Sequence, residues 1–185
     1  MPTPLPTSCT TEQALIEENL LALAQLRQFI ADLQADDYQQ PLGRHGRHTL
    51  GKHVRHIIDH YDALLAASQP DLGDPLVDYE HRRRDERLEC SPRLALTRLE
   101  EVASQLELES VACLASLSYP VDDQMLTLES SVARELAFLT SHTIHHMAII
   151  GLLAEQLDIP LAEDFGVHPS TLRHWQREAT SAAVS

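Results

Sequence analysis

Two histidines four residues apart, His142 and His146, stand in the segment Ser141-His142-Thr143-Ile144-His145-His146-Met147 of a chain of 185 residues. On a helix they lie one turn apart, with β-carbons roughly 5–6 Å from each other, so both imidazoles can reach one metal ion. The row Val132, Leu139, Leu153 passes through His146, and His142 falls between Leu139 and Ile149, which puts both rings on the apolar stripe. An imidazole there needs a partner, which is either a metal or a carbonyl or buried water. His145, about 100° round the axis from His146, belongs to the flank. A second group, His53, His56 and His60, lies far upstream on another apolar-periodic stretch. His53 and His60 border its apolar face directly, whereas His56 sits further toward the polar side, so periodicity does not pick a ligand among them. Three histidines on one helical edge also fit a solvated face.

The elements that must carry these side chains are helical. An apolar stripe of Leu15, Leu20, Leu21, Leu23, Leu26, Ile30 and Leu33 follows Thr10 and Thr11, either of which can cap the first helix. Pro41, Gly43 and Gly46 break the pattern across residues 36–47. The second helix is expected over residues 49–68, with Leu50, Val54, Ile57, Ile58, Tyr61, Leu64 and Leu65 inside. Residues 69–92 are rich in proline and charge and read as a long, irregular surface connection. They carry Arg82, Arg83, Arg84 and Arg87, a candidate anion grip in an acidic protein, which Asp85, Glu86 and Glu89 can equally neutralise. Ser91 and Pro92 read as the start of a third helix running to about Leu117, with Tyr119-Pro120 ending it and residues 121–128 as a connector or short extended piece. The fourth helix is the histidine-bearing stretch, residues 129–157. In the tail, Ser170 or Thr171 can begin a short helix, and Phe165 and Trp175 can dock on the body.

The expected architecture is all-α: a four-helix bundle over residues 11–157, with a long connection between helices two and three, a disordered lead-in over residues 1–10 and a short C-terminal extension over residues 158–185. An apolar content of 43% with only 4% aromatics, dominated by Leu and Ala, favours helices over sheets. A net charge of −14 excludes nucleic acid as the main partner, because phosphate binding needs a basic face. The scattered cysteines, Cys9, Cys90 and Cys113, form no knuckle and fit a reducing cytoplasm. Neither a repeat, a secretory signal nor a membrane span stands out.

The stretch Leu50-Gly51-Lys52-His53-Val54-Arg55-His56-Ile57-Ile58-Asp59-His60-Tyr61, together with His142-x-x-x-His146, resembles the DinB-like (DinB/YfiT) metalloprotein superfamily. In that family one histidine from helix two and a His-x-x-x-His pair from helix four hold a divalent metal. Apolar residues at the family's positions, Leu50, Val54 and Ile57, select His56 as the first ligand, and His142 and His146 as the other two. His53 and His60 are additional to the pattern. The resemblance further implies a thiol-dependent S-transferase: Zn²⁺, or Ni or Fe, in a three-histidine site with an open position, a low-molecular-weight thiol as co-substrate, and a small electrophile as substrate. Arg82 and Arg84 would grip the carboxylates of the thiol, and His60, or His53, would carry a proton or support a ligand. A homodimer is also carried over from relatives. Two other readings stand beside this one. The bundle could be a non-catalytic metal-binding or small-molecule-binding protein, or an iron bundle of the hemerythrin kind, for which Glu135 is the one inward carboxylate on the fourth helix.

Overall fold

The computed structural model describes residues 8–68, 75–108 and 114–183. Four long helices make the body: α1 (Ser8–Ala31), α3 (Leu50–Ala67), α5 (Pro92–Leu108) and α6 (Val132–Gln156). Short helices α2 (Ala35–Gln39) and α4 (Arg87–Cys90), strands β1 (Leu76–Asp78), β2 (Ala115–Val121) and β3 (Gln124–Ser130), and a C-terminal helix α7 (Pro169–Ala183) complete the chain. Both α1 and α3 pack on α5 and on α6. The seam between them is filled by Leu23, Leu26, Ile30, Ile57, Ile58, Leu99, Leu136, Leu139 and Met147, all fully buried. These side chains recur at helical spacing on each stretch, so burying the apolar stripe of one helix buries that of its neighbours.

The histidine-bearing helices begin at well-made caps. Thr49 and Ser131 are extended, and their side-chain oxygens accept from the amides of Lys52 and Arg134, satisfying donors the first turn leaves open. At the centre of the bundle, buried Asn19 donates to the carbonyls of Leu15 and Leu136 and accepts from the Tyr61 hydroxyl at 2.7 Å. Thr143 in turn donates to the Tyr61 oxygen. This chain of bonds fixes α1, α3 and α6 in rotation about their axes, and so determines which face of α3 and of α6 meets the other. By length and composition α6 could cross a membrane. In this fold it packs on α1 and α3, with His142 and His146 against the histidines of α3.

Several expectations need correction. The protein is mostly helical but not all-α, because β1, β2 and β3 form a mixed sheet in that order, with β1 parallel and β3 antiparallel to β2. The third helix ends at Leu108, not near Leu117; Ala115 and Leu117 are buried while Ser116 and Ser118 are less so, an alternation that belongs to a strand. Pro120 fits β2 because β1 pairs only with residues 116–118, so the missing amide falls beyond the ladder. Asp122 and Asp123 make the two-residue hairpin turn, with Asp122 at φ 51°. Residues 36–47 contain α2, whose Tyr38 hydroxyl donates to the Leu88 carbonyl of α4. The connection after helix two holds β1 and α4. The first helix begins at Ser8, ahead of Thr10 and Thr11, since no proline follows Pro6 to interrupt it. The rest of the expected lead-in, residues 1–7, and Cys113 lie outside the described residues. Phe165 docks on Phe29 with ring centroids 5.1 Å apart, but Trp175 stays 45% exposed.

Candidate metal centre

Five imidazoles from α3 and α6 meet in one place. The ring of His56 lies with its centroid 5.1 Å from that of His142 and 4.4 Å from that of His146, and the His142 and His146 rings are 4.6 Å apart. His60 joins from the next turn of α3, 4.4 Å from His56 and 4.0 Å from His142. His53 joins from the preceding turn, with its Nδ1 3.1 Å from Nδ1 of His146. His145 is exposed on the flank, as its angle implies. One nitrogen each from His56, His60 and His142 fall within 4.8 Å of one another, the one group of potential ligands this compact among the described residues.

The family resemblance names His56, His142 and His146, and the structure brings the three rings together, with His60 as a fourth in the same cluster. Hydrogen bonding distinguishes the two candidates for third ligand. His60 Nδ1 is 2.7 Å from the His56 carbonyl, which can only accept, so Nδ1 carries the proton and Nε2 the lone pair. That Nε2 lies 3.4 Å from a guanidinium nitrogen of Arg82. A divalent cation on His60 Nε2 would therefore sit against a second positive charge. His146 has no such neighbour; its Nδ1 is engaged by His53, which leaves Nε2 free and its ring oriented.

The residues fit a metal on a direct observation: His142 Nε2 and His53 Nε2 are buried and make no hydrogen bond. Leaving such atoms unpaired is costly unless something else binds there. Every ring of the cluster is held neutral, as a ligand must be. Burial is the main cause and the neighbouring imidazoles and Arg82 add to it, taking His53 and His142 from the usual 6.5 down to about 4, His60 and His146 to about 3, and His56 to about 2. A base whose folded pKa is depressed takes up fewer protons folded than unfolded, so its stability contribution is present above 6.5 and lost as pH falls below it. Metal-free protein is thus expected to melt lower at pH 5.5 than at pH 7.5, by roughly 5 °C or more, in calorimetric scans. Equal melting temperatures at the two pH values would show that the rings are not buried as neutral groups.

A wall of aromatic rings and arginines flanks the cluster on the side of the sheet. Tyr79 stacks on His60 at 5.2 Å, Phe138 stacks on His142 at 5.4 Å, and the two touch each other at 5.2 Å. Arg82 also donates to the Tyr79 carbonyl. Arg83 and Arg84 point into solvent, and Asp85 pairs with Arg87, so of the two arginines expected to bind a co-substrate only Arg82 reaches the cluster. Glu135 is fully buried and accepts from Tyr79, Ser130 and Arg134. With both oxygens occupied by protein donors it is a scaffold for Tyr79, not the bridging carboxylate an iron bundle needs. Sequence reading missed Tyr79, Phe138 and Arg134. Phe138 lies one turn before His142, a spacing that could have marked it. Tyr79 comes from the connection, where no periodicity operates.

A helical body carries a largely half-buried nest of imidazoles that could hold a metal. The chain belongs to the DinB family, which matches residues 7–160. Its fold is that of YfiT from Bacillus subtilis, described as "a probable metal-dependent hydrolase with an unusual four-helix bundle topology", at a TM-score of 0.59 and 16% identity over 86% of this chain and 94% of that one. It is also similar to FK506-binding protein 5 of Rhizopus delemar, 31% identical over 78 residues, or 42% of this chain. The match spans only 20% of the length of that relative.

Proposed function

We propose that the protein is a metal-dependent enzyme in which His56, His142 and His146 hold a divalent ion, with zinc the best fit, and that it joins a low-molecular-weight thiol to a small electrophile. The observation that carries the reading is the convergence of imidazoles from α3 and α6 on one point, with His142 Nε2 buried and unpaired. A divalent ion held by three neutral nitrogens with an open position supplies a Lewis acid that favours the deprotonated form of a thiol. The protein's own groups do the rest. His53 fixes the His146 ring through the contact between their Nδ1 atoms. His60, with its Nδ1 proton tied to the His56 carbonyl, offers a lone pair at Nε2 to take the thiol proton, and Arg82 beside it is placed to hold a carboxylate. Tyr79 and Phe138 keep water from the sheet side of the cluster.

YfiT's description favours one other reading, in which water replaces the thiol and the enzyme is a hydrolase. One assay separates them. Zinc-loaded protein, incubated with a thiol panel and monochlorobimane, is expected to consume both and form the thioether, and metal-stripped protein is expected not to. Activity on activated esters without thiol consumption would support the hydrolase. Activity in neither assay would leave a metal-binding module without turnover. Were Cys113→Ser to abolish thioether formation with the metal still bound, a protein thiol would be the nucleophile and the proposal would fail.

A further inference from the structure

Next to the imidazole cluster, on the far side of the Tyr79 and Phe138 rings, lies a cavity of about 290 Å³. Its apolar wall is built by Phe138 and Leu117 and its polar rim by Arg82 and Arg134, with Ser118 between. The two arginines come from different parts of the chain, the connection after α3 and the first turn of α6, and converge on one opening. Arg134 is held over the Phe138 face, 5.4 Å from guanidinium carbon to ring centroid, and one of its terminal nitrogens is tied to buried Glu135 at 2.9 Å. That anchoring leaves its other donors pointing outward without a protein partner among the described residues. Arg82 is half-buried, feels the charges of Asp59 and Glu80 without forming an ion pair with either, and has a buried Nε that makes no hydrogen bond. The one acid on the rim, Glu80, is exposed. A rim of two arginines against one glutamate, in a chain of net charge −14, marks this opening off from the rest of the surface.

We propose that this cavity is the subsite for a small organic carboxylate, its charged end between Arg82 and Arg134 and its apolar body against Phe138 and Leu117. The inference rests on reading the neighbouring imidazoles as the metal centre, and it adds to that reading the class of molecule that is handled. Arg82 belongs to both places, 3.4 Å from His60 Nε2 and on the cavity rim, so a carboxylate held here lies beside the group assigned to proton transfer. A guanidinium pair selects a carboxylate over a neutral isostere, because only the anion makes charge-assisted, bidentate bonds to exposed Arg134 and half-buried Arg82. The carboxylate could belong either to the thiol or to the electrophile, and the chemistry of the cavity is the same for both.

The test is fluorine NMR titration of zinc-loaded protein with 4-fluorobenzoate and with 4-fluorobenzyl alcohol, which differ in charge more than in shape. The acid is expected to bind at least ~10-fold more tightly than the alcohol, and Arg82→Gln and Arg134→Gln each to weaken it by ~10-fold, with Arg83→Gln unchanged. Competition then identifies the source. Displacement of the fluorobenzoate by 3-mercaptopropionate but not by propionate assigns the carboxylate to the thiol, and simultaneous binding of acid and thiol assigns it to the electrophile. Equal binding of acid and alcohol by wild-type protein would overturn the proposal whatever the variants do. So would full binding retained in Arg82→Gln and Arg134→Gln. Zinc content is measured on the same samples. Loss of discrimination with the ion in place refutes the cavity alone, whereas discrimination in protein that takes up no zinc refutes the metal reading and leaves the carboxylate subsite standing.

Discussion

His142→Ala is expected to lose the bound ion, weakening zinc affinity by more than about 100-fold, the upper end of what loss of a mere supporting partner costs a metal site. The reason is geometric. The His142 ring lies within 4.0 to 5.1 Å, centroid to centroid, of those of His60, His146 and His56, and its Nε2, like that of His53, is a buried nitrogen that makes no hydrogen bond. Helicity should survive, because His142 is one side chain on a helix whose core contacts are made by Leu136, Leu139, Met147 and Ile150. Metal analysis of the desalted protein, with circular dichroism as control, checks both halves. His145→Ala, exposed on the same helix, should keep the ion. His60→Ala should also keep it but slow turnover, since Arg82 already stands against the His60 lone pair. If His60→Ala loses the ion and His146→Ala retains it, the assignment of third ligand and proton carrier must be exchanged.

The second large effect concerns stability. A methyl group added at Gly51 would stand 2.1 Å from the Glu89 carbonyl oxygen and 2.8 Å from the Tyr38 ring, far inside contact distance. The nearer neighbour is backbone, so α4 must move. Gly51→Ala is expected to cost roughly 2–4 kcal/mol and to lower the melting temperature by about 5–15 °C. The consequence extends to the site. Arg55 on α3 lies 3.0 Å from buried Asp59 and 2.7 Å from Glu89 on α4, and the latter contact holds α4 against the helix that carries His53, His56 and His60. Differential scanning calorimetry of Gly51→Ala beside Ala66→Gly, an exposed position on the same helix, separates the packing effect from helix propensity. A melting temperature within a degree or two of wild type would mean that α4 does not press on α3 as described.

Gly51 also shows what a sequence hides. Inside a good helix it reads as a weak spot, and only the approach of α4 explains it. The four long helices were legible because their apolar residues repeat at one spacing and because Thr10 or Thr11 and Ser91-Pro92 signal the starts of the first and third. Two of the metal candidates were legible in the same way: His146 falls on the row of Val132, Leu139 and Leu153, and His142 between Leu139 and Ile149 on the same apolar stripe, whereas His56 was named only by the family resemblance. The sheet was not. Its hairpin, Ala115 to Ser130, is built with leucine, serine and methionine and with few of the β-branched and aromatic residues that announce strands, so its start passed for the end of the third helix and residues 121–128 for a connector or short extended piece. Arg134 and Phe138 look on the sequence like ordinary flank and core. They line a cavity together with Leu117 and Ser118 of β2, a long-range neighbourhood to which helical periodicity is blind.

The proposed function requires that imidazole nitrogens of α3 and α6 share one ion. Anomalous scattering at the zinc edge from a crystal of the zinc-loaded protein measures this directly. A single peak is expected inside the bundle at ~2.0–2.1 Å from nitrogens of His56, His142 and His146, with His60 beside it and Arg82 facing the open side. A peak bound only by surface groups such as His45, His81 or His174, with the five inner rings bonded to one another around no ion, would contradict it.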